Sequence, residues 1–460
     1  MNCVDHEGRD VQLGKELNNE YFPHHPSNIL RVNNGSFGAC PNIILGRLQE
    51  YRDKWLQCPD TIWGGYISDR LEEARSLVAK DVAHCSASDI VIIENVTVAS
   101  TMIANWLVDN ILKVVINKKS MVVSQGPFVV LATNFNYNAV KASYAAAKMR
   151  LESYHIEVVI EIVAIPFPLE SSTEVLEAYR RKLTELKNKY DQSKNPDAFR
   201  LVYLDHIISN PCMILPVKPI AKLCRDAGFD TIYCDGAHAP GNVVNLEVEN
   251  MDCDFYASNL HKWLFAPTAA AFLYQNSKRH NELHHPIMSH NHGVHEDELT
   301  RYGRVGGLAG ECRMNGTRDY SSMMCIPQAI SFYRSIGGDA VAVRNRDLAI
   351  KVGEMLAKAW DTSVGIPIDM IGCMSMIGLP KVLGCTLKDA ATLRNELLSM
   401  SIGVYTRIMT QFCYPADGRL WIRISVAAYN YQDEYEVLRD AINAIVTKRS
   451  AGQSNTASVL

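Results

Sequence analysis

Asp254-Phe-Tyr-Ala-Ser-Asn-Leu-His-Lys-Trp263 reads as an apolar strand that delivers a single lysine, Lys262, into a short polar segment just ahead of Ala266-Pro267. A lysine at a strand end is ordinarily a solvated cation. Twenty-seven residues earlier, however, Thr231-Ile-Tyr-Cys-Asp235-Gly-Ala-His-Ala-Pro-Gly241 reads as a second strand, which ends on a carboxylate and enters a Gly/Pro turn. An amine and an acid at two strand ends suit a particular chemistry. Pyridoxal phosphate needs a lysine for its aldehyde, and an acid beside its ring nitrogen keeps the pyridinium protonated as an electron sink.

Outward from this pair, Ser88-Asp-Ile-Val-Ile-Ile-Glu94 and Phe199-Arg-Leu-Val-Tyr-Leu204 are short apolar runs of the kind expected of buried parallel strands. Val217-Lys-Pro-Ile-Ala-Lys-Leu-Cys-Arg-Asp-Ala-Gly228 spaces its apolar residues helically and ends in glycine, completing a βαβ unit. Alternation of this kind predicts an α/β sheet covered on both faces. Ligands of such sheets sit at the carboxyl ends of the strands, where Asp235 and Lys262 fall. Beyond residue 316 helical patterns at 321–336 and 340–360 precede strand-like pieces at 373–380 and 420–426, then a final helix from Asp433 to Lys448 and a frayed tail. The division expected is an N-terminal arm and substrate wall (1–41), a large domain (42–315) and a small α+β domain (316–460).

The 460 residues are 47% hydrophobic, enough for a large buried core in more than one unit. A net charge of -4 with scattered lysines and arginines gives no basic stripe, so a nucleic-acid partner is not expected. The polar start, Met1-Asn-Cys-Val-Asp-His-Glu-Gly-Arg-Asp10, has no signal-peptide core, and no apolar run reads as a membrane span. A cytoplasmic protein without membrane contact is the expectation. Thirteen cysteines, none spaced Cys-x-x-Cys, read as reduced, buried small hydrophobes, among them Cys234 and Cys385.

Cys-Asp-Gly-Ala-His and Ser-Asn-Leu-His-Lys-Trp resemble the pyridoxal phosphate site of class V (fold type I) aminotransferase-like enzymes. Asn33-Asn-Gly-Ser-Phe-Gly38, Leu283-His-His-Pro286, Gly316-Thr-Arg-Asp-Tyr320 and Arg423-Ile-Ser-Val-Ala-Ala-Tyr-Asn430 extend the match over most of the chain. The nearest branch holds plant L-cysteine desulfhydrases, isopenicillin N epimerases and the carbon-sulfur lyases of ergothioneine synthesis. The resemblance implies a large domain with a mainly parallel seven-stranded sheet and a small C-terminal domain. It places Lys262 on the cofactor aldehyde and Asp235 at the ring nitrogen.

Several further roles follow from the same resemblance. Val96, Thr97 and Val98 fall on the phosphate-binding turn, where a helix N-terminus offers free N–H groups. Val98 stands where the family pattern has a second threonine, so only its N–H is expected to serve. An ordinary Asn/Thr helix cap is the simpler reading of that turn in isolation. Tyr137 is placed over the pyridine ring, Ser209 and Asn210 near the phenolate, and His238 on the same oxygen, in place of the glutamine that many class V relatives carry. Asn259 and His261 fall at phosphate positions. Gly316 and Thr317 resemble a loop that reaches the neighbour's phosphate, implying a homodimer with shared sites. Arg423 is placed on the substrate carboxylate, whose two oxygens its fork matches, with Asn34 and Gly35 lining the facing wall.

A rival reading rests on His284, His285, His290, His292 and His295, which crowd one loop with Glu296 and Asp297 and offer zinc chemistry. The tract lacks a helical His-x-x-x-His pair, and His-Pro belongs to the family pattern, so no functional metal is expected. A cofactor-free binding protein fits poorly with Asp235, Lys262 and Arg423 all present. The expected substrate is an amino acid from which Lys262 removes the Cα proton. Cysteine-type carbon-sulfur lysis is the favoured outcome; the alternatives are epimerisation and carbon-carbon bond formation, as in a cyclase of loline-type alkaloid pathways.

Overall fold

A computed structural model describes residues 2–4, 10–117, 127–190, 196–294, 306–405, 407–409 and 418–457. Seven strands form one sheet in the order Ile90–Ile93, Ala271–Gln275, Phe255–Asn259, Thr231–Asp235, Phe199–Asp205, Phe128–Thr133 and Val158–Val163. Only Ala271–Gln275 runs against its neighbours. The mainly parallel seven-stranded sheet expected from the sequence is therefore present.

The continuous apolar runs have a simple cause. Successive strand residues point to opposite faces, and here both faces are covered. Leu201, Tyr203, Tyr233, Phe255 and Leu273 pack in one cluster with the helices Val96–Asn117 and Asn138–Glu152. Val202, Leu204, Ile232, Cys234 and Tyr256 pack in the other, with Ile67–Val78, Thr173–Lys189 and Val217–Asp226. This second cluster continues into the small antiparallel sheet of Met374–Gly378, Trp421–Ser425 and Arg407–Met409. The N-terminal segment is stitched to the same end, because Ile29–Arg31 pairs in parallel with Gly403–Tyr405.

The reversed strand matters for the site. An antiparallel neighbour needs no crossover helix, so the chain passes from Asn259 to its register partner Ala271 through a short connection. Lys262 rides on that connection and is held at both ends by the sheet.

Three sequence expectations are corrected. The Val96–Asn117 helix is long and apolar enough to cross a membrane by length and composition, although no such run was expected. Its apolar character serves the core, where Met102, Ile103, Trp106, Leu107 and Ile111 are buried against the sheet. The last helix runs to Ala457, past the expected end at Lys448. Cys385 is exposed, because its N–H caps onto Asp389 at a helix start and the side chain turns outward; Cys234 is buried as expected.

Candidate active site

Two adjacent parallel strands both end in the pattern Tyr-x-Asp, namely Tyr203-Leu204-Asp205 and Tyr233-Cys234-Asp235, and pair in register. The two aspartates consequently stand side by side at the carboxyl edge of the sheet. Both are buried. Burial and the neighbouring Asp235 charge push Asp205 far above the usual carboxylate range. Asp235 is also raised by burial, but the Ala237 N–H, 2.9 Å from its Oδ1, and the Lys262 cation pull it back down. Of the two, Asp205 is pushed up the further, and Asp235 is the one drawn back towards the carboxylate form. Asn136 holds Asp205 in place, donating from Nδ2 to Oδ2 at 2.5 Å.

These groups floor a cleft of about 300 Å³, within the range of cofactor sites. Lys262 enters it with Nζ 3.1 Å from His238 Nε2. The indole N–H of Trp263 donates to His238 Nδ1 at 3.4 Å. His261 also lines the cleft; burial, then the Lys262 charge, pushes its pKa down to about 4 and keeps it neutral.

The Lys262 backbone is clamped from the N-terminal segment. Asn34 Nδ2 donates to the Lys262 carbonyl at 2.9 Å, and the Tyr429 hydroxyl donates to Asn34 Oδ1 at 3.1 Å. Gly38, at φ +75°, packs so closely that any Cβ there overlaps the His261 carbonyl. Glycine is required at that position by both the dihedral angle and the contact.

At one end of the cleft lies the N-terminus of the Val96–Asn117 helix. Val96 and Thr97 line the cleft together with Asn95 and Asn259. Val98 does not, and its N–H donates to Asn95 Oδ1 at 3.1 Å. The simpler helix-cap reading of the turn therefore holds for Val98, whose N–H was expected to face a phosphate. The Val96 N–H donates to Asn259 Oδ1 at 3.1 Å, so Asn259 braces the turn from the adjoining strand. Tyr137, half exposed, stands at the rim at the start of the Asn138–Glu152 helix.

Arg423 is wholly buried in the middle of the small sheet and stands behind the lining of the cleft. Its Nη1 donates to the Ser209 carbonyl at 2.8 Å and to Ser209 Oγ at 3.2 Å, while Nη2 donates to Asn33 Oδ1 at 2.8 Å and Ser36 Oγ at 2.7 Å. Ser36 and Ser209 are the residues that face the cleft. Asn34, Gly35 and Asn210 are packed just outside it, with the Gly35 N–H donating to Ser425 Oγ at 3.2 Å. Thr317 lies in a separate cleft with Tyr51, Trp55 and Tyr320, and Gly316 precedes it.

The cleft thus brings together Val96, Thr97, Tyr137, Ser209, Asp235, His238, Asn259, His261 and Lys262. Asp205, Asn136 and Ser36 were not singled out from the sequence. The repeated Tyr-x-Asp strand end was the available signal for Asp205. His295, Glu296 and Asp297 lie outside the described residues.

A family model described as aminotransferase class-V matches residues 174–438. A probable chloroplastic L-cysteine desulfhydrase of Arabidopsis thaliana is 31% identical over 443 residues, covering 92% of this chain and 84% of the relative. An isopenicillin N epimerase of Streptomyces clavuligerus is 32% identical over 254 residues, covering 54% of this chain and 60% of the relative. Among solved structures, an apo cysteine desulfurase from Thermococcus onnurineus NA1 superposes with a TM-score of 0.70 at 15% identity, covering 95% of this chain and 99% of the other, and so shares the fold. The chain belongs to the class-V aminotransferase family.

Proposed function

We propose that this class-V aminotransferase family member is a pyridoxal phosphate enzyme that cleaves the carbon-sulfur bond of L-cysteine or a cysteine-like thioether amino acid. The observation that carries the reading is the Lys262 amine, 3.1 Å from His238 in a cleft floored by the Asp235 carboxylate. The residues fit the cofactor: an amine for its aldehyde, an acid for its ring nitrogen, a helix start for its phosphate and an aromatic side chain at the rim. Near-full-length similarity to a desulfhydrase directs the reading to sulfur chemistry.

When bound, pyridoxal phosphate supplies a ring that accepts the electron pair of the Cα–H bond. Asp235 keeps the proton of the ring nitrogen in place. Lys262 would hold the cofactor through Nζ, and the same amine is the base placed to take the Cα proton. His238 orients that Nζ and would stand beside the cofactor ring. Thr97, Asn259 and His261 would hold the phosphate; the Val96 N–H is taken by Asn259 Oδ1, so Val96 shapes the turn, and Tyr137 would cover the ring. Arg423 acts with Ser36, Ser209, Asn34 and Gly35 on the carboxylate side of the substrate. Sulfur departs with the C–S electron pair and takes up a proton; the three-carbon remainder adds water and leaves as pyruvate and ammonia.

Gly316 and Thr317, outside the cleft of their own chain, are assigned to the site of a second subunit in a homodimer. Mixed dimers of Lys262→Ala and Thr317→Trp chains should recover activity that neither parent has; none after proven subunit exchange overturns that assignment. The proposed place of action is the cytoplasm. The reaction itself is tested by incubating the purified holoenzyme with L-cysteine. Sulfide and pyruvate in equal amounts support lysis, while Cα-proton exchange without either product, across a panel of sulfur amino acids, overturns it in favour of epimerisation or carbon-carbon bond formation.

A further inference from the structure

The histidine loop expected to hold no metal folds into a more specific shape than its sequence suggested. His284 and His292 come together with Glu311, a residue 19 positions further on, in the Gly307–Arg313 helix. His284 Nδ1 is 2.8 Å from Glu311 Oε1, and His292 Nδ1 is 3.6 Å from Oε2. The two imidazole rings lie 5.0 Å apart at a 45° tilt. All three ligand atoms fall within 4.8 Å of one another.

Glu311 is buried, and its carboxylate is already positioned by the backbone. Gly293 N–H donates to Oε1 at 3.1 Å and His285 N–H to Oε2 at 2.7 Å. Each oxygen keeps one further lone pair, and these face the two histidines. His292 Nδ1 is buried without a hydrogen-bond partner among the described residues. A buried ring nitrogen left in that state carries a desolvation penalty that a metal ion would remove. His285, the adjacent histidine, is engaged elsewhere: its Nε2 lies 3.0 Å from Asn315 Nδ2. The loop therefore presents His284 and His292, and only those two of the described histidines, to the glutamate.

We propose that His284, His292 and Glu311 form a binding site for a divalent transition metal, with zinc the preferred ion. Two imidazoles and one carboxylate match the borderline character of zinc and fit poorly with magnesium or calcium, which prefer oxygen ligands. Tetrahedral zinc with bonds of about 2.0 Å places its ligand atoms roughly 3.3 Å apart, which small rotations of the two rings achieve here. The fourth position faces solvent through His284, which is half exposed, and is left to water. Binding ties the 284–292 loop to the helix that leads into Gly316-Thr317, so the metal orders that approach and takes no part in the reaction proposed for Lys262.

The test uses the holoenzyme, stripped with a chelator and dialysed, then titrated with Co²⁺ and Zn²⁺ under equilibrium dialysis with elemental analysis. Wild type should bind one equivalent per chain, show the visible bands of cobalt in a site of low coordination, and melt at a higher temperature with zinc. The His284→Ala/His292→Ala double variant should lose all three responses while keeping its wild-type circular dichroism. If the double variant does not fold, His292→Gln, which preserves volume and the Glu311 backbone contacts, provides the same reading. Failure of wild type to bind zinc stoichiometrically, or binding that survives in the variants, overturns the site.

Discussion

Asp235 and Arg423 are both buried charged groups beside the same cleft, yet the chain places them by different means. The floor that holds Asp235 comes from the edge of one sheet: Asp205, Asp235, Asn259 and Lys262 are all carried on strands or on a connection fixed at both ends by paired strands. The facing wall that Arg423 supports is assembled from segments remote in sequence, with the guanidinium held by Asn33, Ser36 and Ser209. The floor is set by backbone register. The wall depends on a few side-chain hydrogen bonds, so the floor should tolerate little change in chemistry and the wall should respond in binding.

That contrast can be broken by substitution. Lys262→Ala should reduce turnover by roughly four orders of magnitude while leaving the fold intact, and borohydride reduction of wild type should fix the cofactor on the peptide containing Lys262. Labelling of another lysine would remove Lys262 from the centre of the floor. Asp235→Asn should lower kcat by about a hundredfold or more with little loss of stability, since an amide cannot hold the ring proton. A wild-type kcat in that variant would show that Asp205 is able to replace it.

At the seam between floor and wall, Gly38→Ala should cost about 1–3 kcal/mol in denaturant unfolding and displace the Lys262 backbone, because a Cβ meets the His261 carbonyl at φ +75°. An unchanged unfolding midpoint would mean that the seam is looser than the contacts imply. Arg423→Lys should raise KM by roughly tenfold and affect kcat less, since a point charge cannot keep the fork to Ser209, Asn33 and Ser36. A fall in kcat alone would place Arg423 with the floor.

The smallest effect concerns pH. Burial pushes both His206 and His261 down to about 4, from an unfolded value near 6.5. Below pH 6.5 the unfolded chain takes up protons that the folded chain refuses, so stability falls as pH drops towards 4. Between pH 7 and pH 6 the loss should be about 0.7 kcal/mol for each ring, read as a shift in urea midpoint. His261→Asn should reduce that pH dependence; an unchanged dependence would mean that folding does not shift the His261 pKa.

The same contrast explains what was legible in the sequence. Strands buried on both faces leave continuous apolar runs, so the sheet and the residues at its edge, Asp235 and Lys262 above all, were readable. Asp205 carried the same Tyr-x-Asp signal, but its pairing with Asp235 depends on inter-strand register, which one sequence does not express. The network around Arg423 was less readable still, since it joins residues separated by 387 and 390 positions. Val98 was read towards the ligand when the competing Asn95 cap had taken its N–H. Glu311, spaced well away from the histidines, gave no local pattern at all.

The pairing of Ile29–Arg31 with Gly403–Tyr405 gives the ribosome a part in building this pocket. Synthesis proceeds from the N-terminus, so Asn33, Asn34 and Ser36 emerge long before Arg423, Ser425 and Tyr429 and must wait for them. During that interval the strands of the large sheet can form while Leu30 and Val32 still lack their final burial. A nascent chain arrested before residue 403 possesses the lysine and both aspartates but no completed wall, and its Ile29–Arg31 segment has no strand to pair with.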